Sequence, residues 1–219
     1  INIITVEDPV EFRMRGINQV QVNNKAGMTF AAALRSILRA DPDVVLIGEI
    51  RDQETANIAI EASLTGHLVL STLHTNDAPS AVTRLTEMGV EPFLLSSSLA
   101  AVMAQRLARR LCKKCKRQDT ATEAELRTLG VPHMPDTPLP TIWRPVGCRE
   151  CANTGYSGRV AIQQVMGVDS TMEDLIARGA TSIDIDKAAK EQGMTTLRKD
   201  GWQKALQGIT SVEEVLRVT

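Results

Sequence analysis

An apolar run that ends in an acid constrains this chain more than any other feature of its sequence. Residues 44–47 read Val-Val-Leu-Ile and are followed by Gly48 and Glu49, and a second apolar run, 68–73, is followed by His74. Continuous Val, Ile and Leu runs are typical of parallel strands buried on both faces, and ligands bind beyond the carboxyl ends of such strands. The pattern predicts an α/β fold with a phosphate and metal site at one edge of the sheet.

Strand patterns alternate with helix patterns over residues 1–110, which predicts βαβ units and a mostly parallel sheet. The first helix is expected over residues 29–39. The apolar stretch 93–104 is shorter than the roughly 20 residues that span a bilayer, so it is predicted to be a core helix. After Val160 the pattern again predicts helices. The residues expected to cap helices are Thr29, Asp52, Asp77, Ser170 and Ser211.

Composition changes near residue 106, where seven basic residues occur before the next acid, and a Pro-rich connection covers residues 132–145. We therefore predict three parts. They are a core over residues 1–110, a four-cysteine subdomain over 111–160 and a C-terminal helical subdomain over 161–219.

Overall composition excludes several classes of protein. The net charge is −1 and aromatic residues make up 3% of the chain, so neither a global basic surface nor base-stacking platforms are expected, and nucleic acid is an unlikely partner. No transmembrane segment and no secretory leader are found in the sequence. Because residues 1–6 already read as a strand, the chain is expected to begin inside a domain.

The four cysteines form two Cys-x-x-Cys pairs with the spacing of a tetrahedral zinc site. Disulfides or free thiols are the alternatives, and the cytosolic character of the composition favours metal. Four protein ligands leave no open coordination position, so the Zn²⁺ is expected to be structural. The predicted ligands are Cys112, Cys115, Cys148 and Cys151.

Acidic and imidazole side chains follow the predicted strands. Residues 5–11 read Thr-Val-Glu-Asp-Pro-Val-Glu, and these carboxylates could deprotonate a water or hold a metal through its water shell; a solvated acidic turn is the alternative. His74 could donate a hydrogen bond to a terminal phosphate. His133, in the Pro-rich connection, is expected to be structural.

Three motifs, taken together and in order, carry a resemblance to a known family. They are residues 5–11, Leu-Arg-x-x-Leu-Arg-x-Asp-Pro-Asp-x-x-x-x-Gly-Glu-Ile-Arg-Asp at 34–52, and Gly-His-Leu-Val-Leu-Ser-Thr-Leu-His-Thr-Asn at 66–76. They resemble the Asp box, Walker B element and His box of the bacterial secretion ATPases, the hexameric motors of type II secretion and type IV pilus assembly. The resemblance implies a RecA-like P-loop ATPase core.

The same resemblance implies roles for individual residues. Glu7 is expected to be the catalytic base, Glu49 the acid associated with Mg²⁺, and His74 the sensor of the ATP γ-phosphate. Three arginines are expected either to act as arginine fingers across a subunit boundary or to form surface ion pairs; they are Arg35, Arg39 and Arg51. The residues expected to contact ATP and Mg²⁺ are Asp8, Glu11, Glu49, His67 and His74.

The phosphate-binding loop of the family, Gly-x-x-x-x-Gly-Lys-Ser/Thr, does not occur among the 219 residues. In the family this loop precedes the Asp box, so the chain alone is expected neither to bind ATP tightly nor to hydrolyse it. The resemblance further implies a homo-hexamer that acts on an inner-membrane platform protein. Such a motor is cytoplasmic and attaches peripherally to the membrane through its partners.

Several sequence features favour pilus assembly over type II secretion, which remains the alternative. Residues 16–20 and 163–166 resemble the pilus-assembly members of the family more than the type II secretion members. A more distant alternative is a zinc-ribbon module that binds nucleic acid through the basic cluster at residues 106–117. A third possibility is a segment that serves only in assembly or docking.

Overall fold

The protein was analysed as a computed structural model, which describes residues 1–134 and 136–219. The strands are β1 (Ile3–Glu7), β2 (Asn18–Gln21), β3 (Val44–Ile47), β4 (Leu68–Ser71), β5 (Ala101–Leu111), β6 (Arg117–Thr120), β7 (Thr141–Arg144) and β8 (Tyr156–Gly167). The α-helices are α1 (Phe30–Ile37), α2 (Gln53–Leu64), α3 (Ala78–Glu87), α4 (Pro92–Ser98), α5 (Glu123–Leu129), α6 (Ser170–Ala177), α7 (Ser182–Glu191), α8 (Leu197–Leu206) and α9 (Val212–Val218). Short 3₁₀ turns lie at Asn24–Ala26 and Arg149–Cys151.

The chain forms two compact units, each built from two stretches of sequence. The first unit contains residues 1–102 and 167–188, and the second contains residues 103–166 and 189–219. The three parts predicted from the sequence are a different division of the chain from these two units, and they stay a prediction.

The first unit contains a four-stranded sheet in the order β2-β1-β3-β4, with every neighbouring pair parallel. The predicted parallel α/β architecture is therefore confirmed. Val6, Val45 and Ile47 in the two central strands are fully buried, as continuous apolar runs require. Helix α1 packs its apolar face on β1 and α2, and α2 also contacts β4.

Four of the five predicted helix caps are observed. The Ser211 hydroxyl accepts from the Glu214 N–H at 3.3 Å. The side-chain oxygens of Thr29, Asp52 and Asp77 each accept a hydrogen bond from the backbone N–H three residues further on, at 2.8 to 3.2 Å. The remaining prediction, Ser170, is wrong by one residue. Asp169 caps α6 by accepting from the Met172 N–H at 2.9 Å, and Ser170 is the first helical residue, because aspartate and serine cap a helix about equally well.

The predicted core helix over residues 93–104 is only partly confirmed. Helix α4 ends at Ser98, Leu99 is extended, and β5 starts at Ala101. Ser96 and Ser98 donate hydrogen bonds to the carbonyls of Phe93 and Leu95, respectively. Such side-chain bonds compete with the regular helix ladder, and they occupy the last turn before the chain becomes extended.

The second unit contains two two-stranded sheets, one pairing β5 with β8 and one in which β6 and β7 are antiparallel. The prediction that helices resume after Val160 is wrong up to residue 167, since β8 continues to Gly167. Buried and exposed residues alternate over the end of β8, and that period of two favours a strand. The core of this unit is a cluster of Ala108, Ala121, Leu126, Leu129, Ile142, Ile162, Leu197, Trp202, Ala205, Val212 and Val215.

Among the helices formed by the described residues, none combines the length and the apolar composition that crossing a bilayer requires.

Candidate functional site

Glu7, Glu49 and His74 lie at the same edge of the four-stranded sheet, as the sequence predicted. Glu7 is the last residue of β1, and Glu49 follows β3 by two residues. Val6 pairs with Ile47, so the two parallel strands end side by side. His74 follows β4, and its Nε2 atom lies 3.2 Å from Oε2 of Glu49.

Gly48 permits the close approach of the backbones that precede Glu7 and Glu49. Its N–H donates to the Val6 carbonyl at 2.8 Å. A Cβ atom at Gly48 would lie 3.3 Å from the Val6 carbonyl oxygen and 3.4 Å from the Glu7 Cα atom. The space between the two strand ends therefore suits glycine and is tight for any larger residue.

Beyond the strand ends, the segment that follows β3 remains paired with the segment that follows β4. The Thr72 hydroxyl donates to the Gly48 carbonyl at 2.6 Å, and the Ile50 N–H donates to the Thr72 carbonyl at 3.0 Å. These bonds flank Glu49 on both sides. They bring the residues after β4, including His74, against the Glu49 carboxylate.

Glu49 is held as a carboxylate by two basic groups. The Arg51 guanidinium hydrogen-bonds to both carboxylate oxygens, with Nη2 at 2.6 Å from Oε1, and His74 contacts Oε2. The Arg51 hydrogen bond is the largest cause that lowers the pKa of Glu49, and His74 lowers it further against the opposing effect of burial. An ionised Glu49 can accept hydrogen bonds from metal-bound water or can contact a cation directly.

Glu7 has a different environment, because its hydrogen-bond donors are neutral. The Thr5 hydroxyl donates to Oε1 at 2.5 Å, and the Gln19 amide donates to the same oxygen at 3.0 Å. Within residues 1–134 and 136–219, no protein group donates to Oε2. This oxygen is therefore available to accept a proton or to orient a water.

His67 lies apart from the other predicted site residues. His67 precedes β4, so it lies at the opposite end of that strand from His74. Its Nδ1 atom is 2.9 Å from the Ala62 carbonyl and 3.1 Å from the Thr65 hydroxyl, where it stabilises the end of α2. The sequence offered no sign of this contact, because it depends on how α2 returns to β4.

The remaining predicted residues at the edge are exposed. Asp8 and Glu11 lie in the turn after β1. Arg35 on α1 forms an ion pair with Glu54, and Arg39, in the turn after α1, donates to the Arg35 carbonyl at 2.9 Å. Their roles toward ATP and across a subunit boundary stay predictions.

The four cysteines in the second unit form a compact cluster. All four Sγ atoms lie within 4.8 Å of one another, and three of the Sγ–Sγ distances are 3.7, 3.8 and 3.9 Å. Tetrahedral zinc with Zn–S bonds of about 2.3 Å requires sulfurs about 3.8 Å apart. None of the four is in a disulfide. The cluster therefore fits a structural zinc ion in both ligand type and spacing.

Backbone groups around this cluster favour thiolates. The N–H groups of Cys148 and Gly155 both donate to Sγ of Cys151 at 3.2 Å, and the Gly147 N–H donates to Sγ of Cys115 at 3.3 Å. Burial raises the pKa of Cys151, but the backbone N–H groups of Cys148 and Gly155, together with the Cys148 and Cys115 thiols, outweigh burial and lower the pKa to about 6. Backbone donors around Cys148 lower the pKa of its thiol, but burial and the Cys151 and Cys115 thiols outweigh them and raise that pKa to about 11, so Cys151 is the thiolate of this pair. Such second-sphere donors are typical of zinc-bound cysteines.

The chain is similar in sequence to one known family and to several known proteins. The family described as "Type II/IV secretion system protein" matches residues 1–217. "Type II secretion system protein E" of Pseudomonas aeruginosa is 56% identical over 218 residues, which is 100% of this chain and 43% of that protein. "Type IV pilus assembly ATPase PilB" of Thermus thermophilus is 52% identical over 218 residues, which is 100% of this chain and 24% of that protein.

A solved structure is similar to the chain as well. The crystal structure of the pilus retraction motor PilT with bound ADP superposes with a TM-score of 0.71 at 25% identity, covering 100% of this chain and 52% of PilT. The chain thus spans less than half the length of the two curated relatives described above, 43% of one and 24% of the other.

Proposed function

Since the chain belongs to the type II/IV secretion system protein family, we propose that it contributes the hydrolytic edge of an ATPase motor that drives type IV pilus assembly. The observation that carries the proposal is the convergence of Glu7, Glu49 and His74 beyond the ends of three neighbouring parallel strands. Type II secretion is the second candidate, and it has equal support, because a relative at 56% identity bears that name. The activity is proposed for the full-length protein.

The environments of the two glutamates support different roles. Glu7 receives neutral donors on one oxygen and leaves the other oxygen accessible, which suits a base that orients and deprotonates the attacking water. Glu49 is kept ionised by Arg51 and His74, which suits a group that holds Mg²⁺ through its water shell. ATP with Mg²⁺ supplies the phosphoryl group that the water attacks.

His74 and Arg51 are proposed to respond to the nucleotide. Both side chains are largely exposed, at 86% and 62%, and both contact Glu49. An incoming phosphate would compete with the Glu49 carboxylate for these two donors. His74 is therefore suited to report the γ-phosphate, and Arg51 is free to turn toward phosphate of its own or a neighbouring subunit.

The four-cysteine cluster is proposed to bind one structural Zn²⁺. Its ligands Cys112 and Cys115 follow β5 directly, and Cys148 and Cys151 precede β8. Zinc would therefore hold together the two ends of the segment that connects β5 to β8.

The assembly proposed for the whole protein is a homo-hexamer bound to an inner-membrane platform protein from the cytoplasmic side. The family membership supports this arrangement. A nucleic-acid-binding module has less support, because two cations of the basic cluster make internal contacts. Arg109 lies 4.2 Å from the Tyr156 ring centroid and Lys116 lies 4.5 Å from that of Trp143.

The test measures phosphate release by the full-length protein with ATP and Mg²⁺. Glu7→Gln is expected to lower kcat at least about 100-fold and to leave nucleotide affinity intact, because it removes proton transfer and keeps the shape of the side chain. Glu61→Gln is the matched control, an exposed glutamate on α2 that does not contact the site. Wild-type turnover by Glu7→Gln would exclude the proposed role of this edge.

A further inference from the structure

Gln19, on the edge strand β2, contacts the Glu7 carboxylate from the neighbouring strand. β2 runs parallel to β1 with Gln19 paired to Thr5, two residues before Glu7. The long side chain of Gln19 extends toward the strand ends, and its Nε2 atom lies 3.0 Å from Oε1 of Glu7.

The orientation of the Gln19 amide is determined by its partners. Nε2 also donates to the Phe12 carbonyl at 2.9 Å, and Oε1 accepts from the Met14 N–H at 2.8 Å. A flipped amide would place its carbonyl oxygen against two acceptors and its NH₂ group against a donor, so only one orientation satisfies all three partners. Gln19 thus presents a fixed donor to Glu7.

We propose that Gln19 is a positioning residue for Glu7, and this inference rests on the proposed role of Glu7 as the base. Together with the Thr5 hydroxyl, the Gln19 amide occupies Oε1 and fixes the plane of the carboxylate. Oε2 then points to the water that Glu7 activates. Proton transfer requires the base within hydrogen-bond reach of that water, so a carboxylate that rotates freely reacts more slowly.

The same amide ties Glu7 to the loop over residues 8–17. This loop carries Phe12, whose residue surface is 80% exposed, and it is held by the Gln19 contacts to residues 12 and 14. A displacement of the loop would therefore pull the amide away from Glu7. Gln19 makes the orientation of the base depend on the position of this loop.

The experiment compares Gln19→Met with Gln21→Met in the full-length protein. Methionine keeps the length of the side chain and removes the amide. Gln21 is on the same strand and also touches the loop, since its Oε1 accepts from the Val10 N–H at 3.4 Å. Its backbone pairs with that of Glu7, but its side chain makes no hydrogen bond to the Glu7 carboxylate, whose donors are Thr5 and Gln19. Gln19→Met is expected to lower kcat about tenfold with KM and the Kd of a non-hydrolysable ATP analogue unchanged, and Gln21→Met is expected to stay within twofold of wild type.

A second arm separates positioning from a structural role. In a Glu7→Gln background, adding Gln19→Met is expected to change the remaining kcat less than twofold, because a residue that acts through Glu7 has nothing left to position. Gln19→Asn, which keeps the amide on a side chain one methylene shorter, is a second single variant and is expected to lower kcat in the same way. Thermal unfolding confirms that each variant is folded.

The outcomes are distinguishable. If Glu7→Gln loses turnover but Gln19→Met and Gln19→Asn keep wild-type kcat, this inference is overturned and the proposed function stands. A tenfold effect of Gln19→Met that persists in the Glu7→Gln background, or that Gln21→Met reproduces, also overturns it. Wild-type turnover by Glu7→Gln alone overturns the proposed function and the inference together.

Discussion

Replacing Glu214 by glutamine should destabilise the second unit strongly. The Glu214 side chain is 1% exposed, yet it is charged. Its two oxygens accept four hydrogen bonds, at 2.6 to 2.9 Å, from the backbone N–H and guanidinium of Arg109 and from the guanidinium of Arg217. Glutamine fits the same space but carries no charge, and its NH₂ group would face donors.

The magnitude follows from the pKa of Glu214. Burial raises the pKa, but the bonds from Arg217 and Arg109 outweigh burial and lower it from 4.5 to about 2. A difference of that size corresponds to about 3 kcal/mol in favour of the folded state at neutral pH. Because Arg109 and Arg217 are 48% and 54% exposed, they can turn to water after the substitution, so the expected loss is about 2 to 3 kcal/mol.

Unfolding in urea, followed by tryptophan fluorescence, measures this loss. Both tryptophans of the chain, Trp143 and Trp202, lie in the second unit and report its unfolding. Glu213→Gln is the matched control, because Glu213 is the adjacent residue of α9 and its side chain is 53% exposed in its ion pair with Arg144. The control is expected to cost less than about 1 kcal/mol.

The direction in which the stability loss of Glu214→Gln changes with pH can also be predicted. A carboxyl with a lowered pKa in the folded state stabilises the fold above pH 4.5, and that contribution is lost as the pH falls toward 2. The difference in unfolding free energy between wild type and Glu214→Gln should therefore be constant near neutral pH and should shrink below pH 4.5. A difference that does not change with pH, or one no larger than that of Glu213→Gln, would refute the reasoning.

Three further outcomes are expected. Removal of zinc by a chelator should release one Zn²⁺ per chain and increase amide hydrogen exchange first over residues 112–151; unchanged exchange there after complete chelation would contradict a structural zinc. Gly201→Ala should cost about 1 to 3 kcal/mol in the same urea titration, because its Cβ would lie 2.6 Å from Cγ1 of Val215, and an unchanged unfolding free energy would contradict this close packing. Arg39→Ala should lower ATP turnover of the assembled full-length protein at least tenfold if this arginine acts across subunits, and full turnover would remove it from that role.

Local patterns predicted the elements of the sheet edge. Apolar runs that end in polar residues identified β1, β3 and β4, and Asp or Thr before an amphipathic run identified three helix starts. These features depend on residues within one turn or one strand of each other, so the sequence contains the information directly. The second half of the helix predicted over residues 93–104 was wrong, because a short apolar run with serines is compatible with either a helix or a strand.

The sequence by itself determined which chemical groups the two candidate sites contain. They are two glutamates and a histidine in the first unit, and four cysteines at the spacing of a zinc site in the second. The tertiary structure decided what surrounds them. The parallel pairing of β2 with β1 brings Gln19 to Glu7, which is 12 positions earlier in the sequence, and the pairing that continues beyond β3 and β4 brings His74 to Glu49. It also placed His67 at the far end of β4. Contacts between residues distant in sequence depend on strand order and register, which no local pattern specifies.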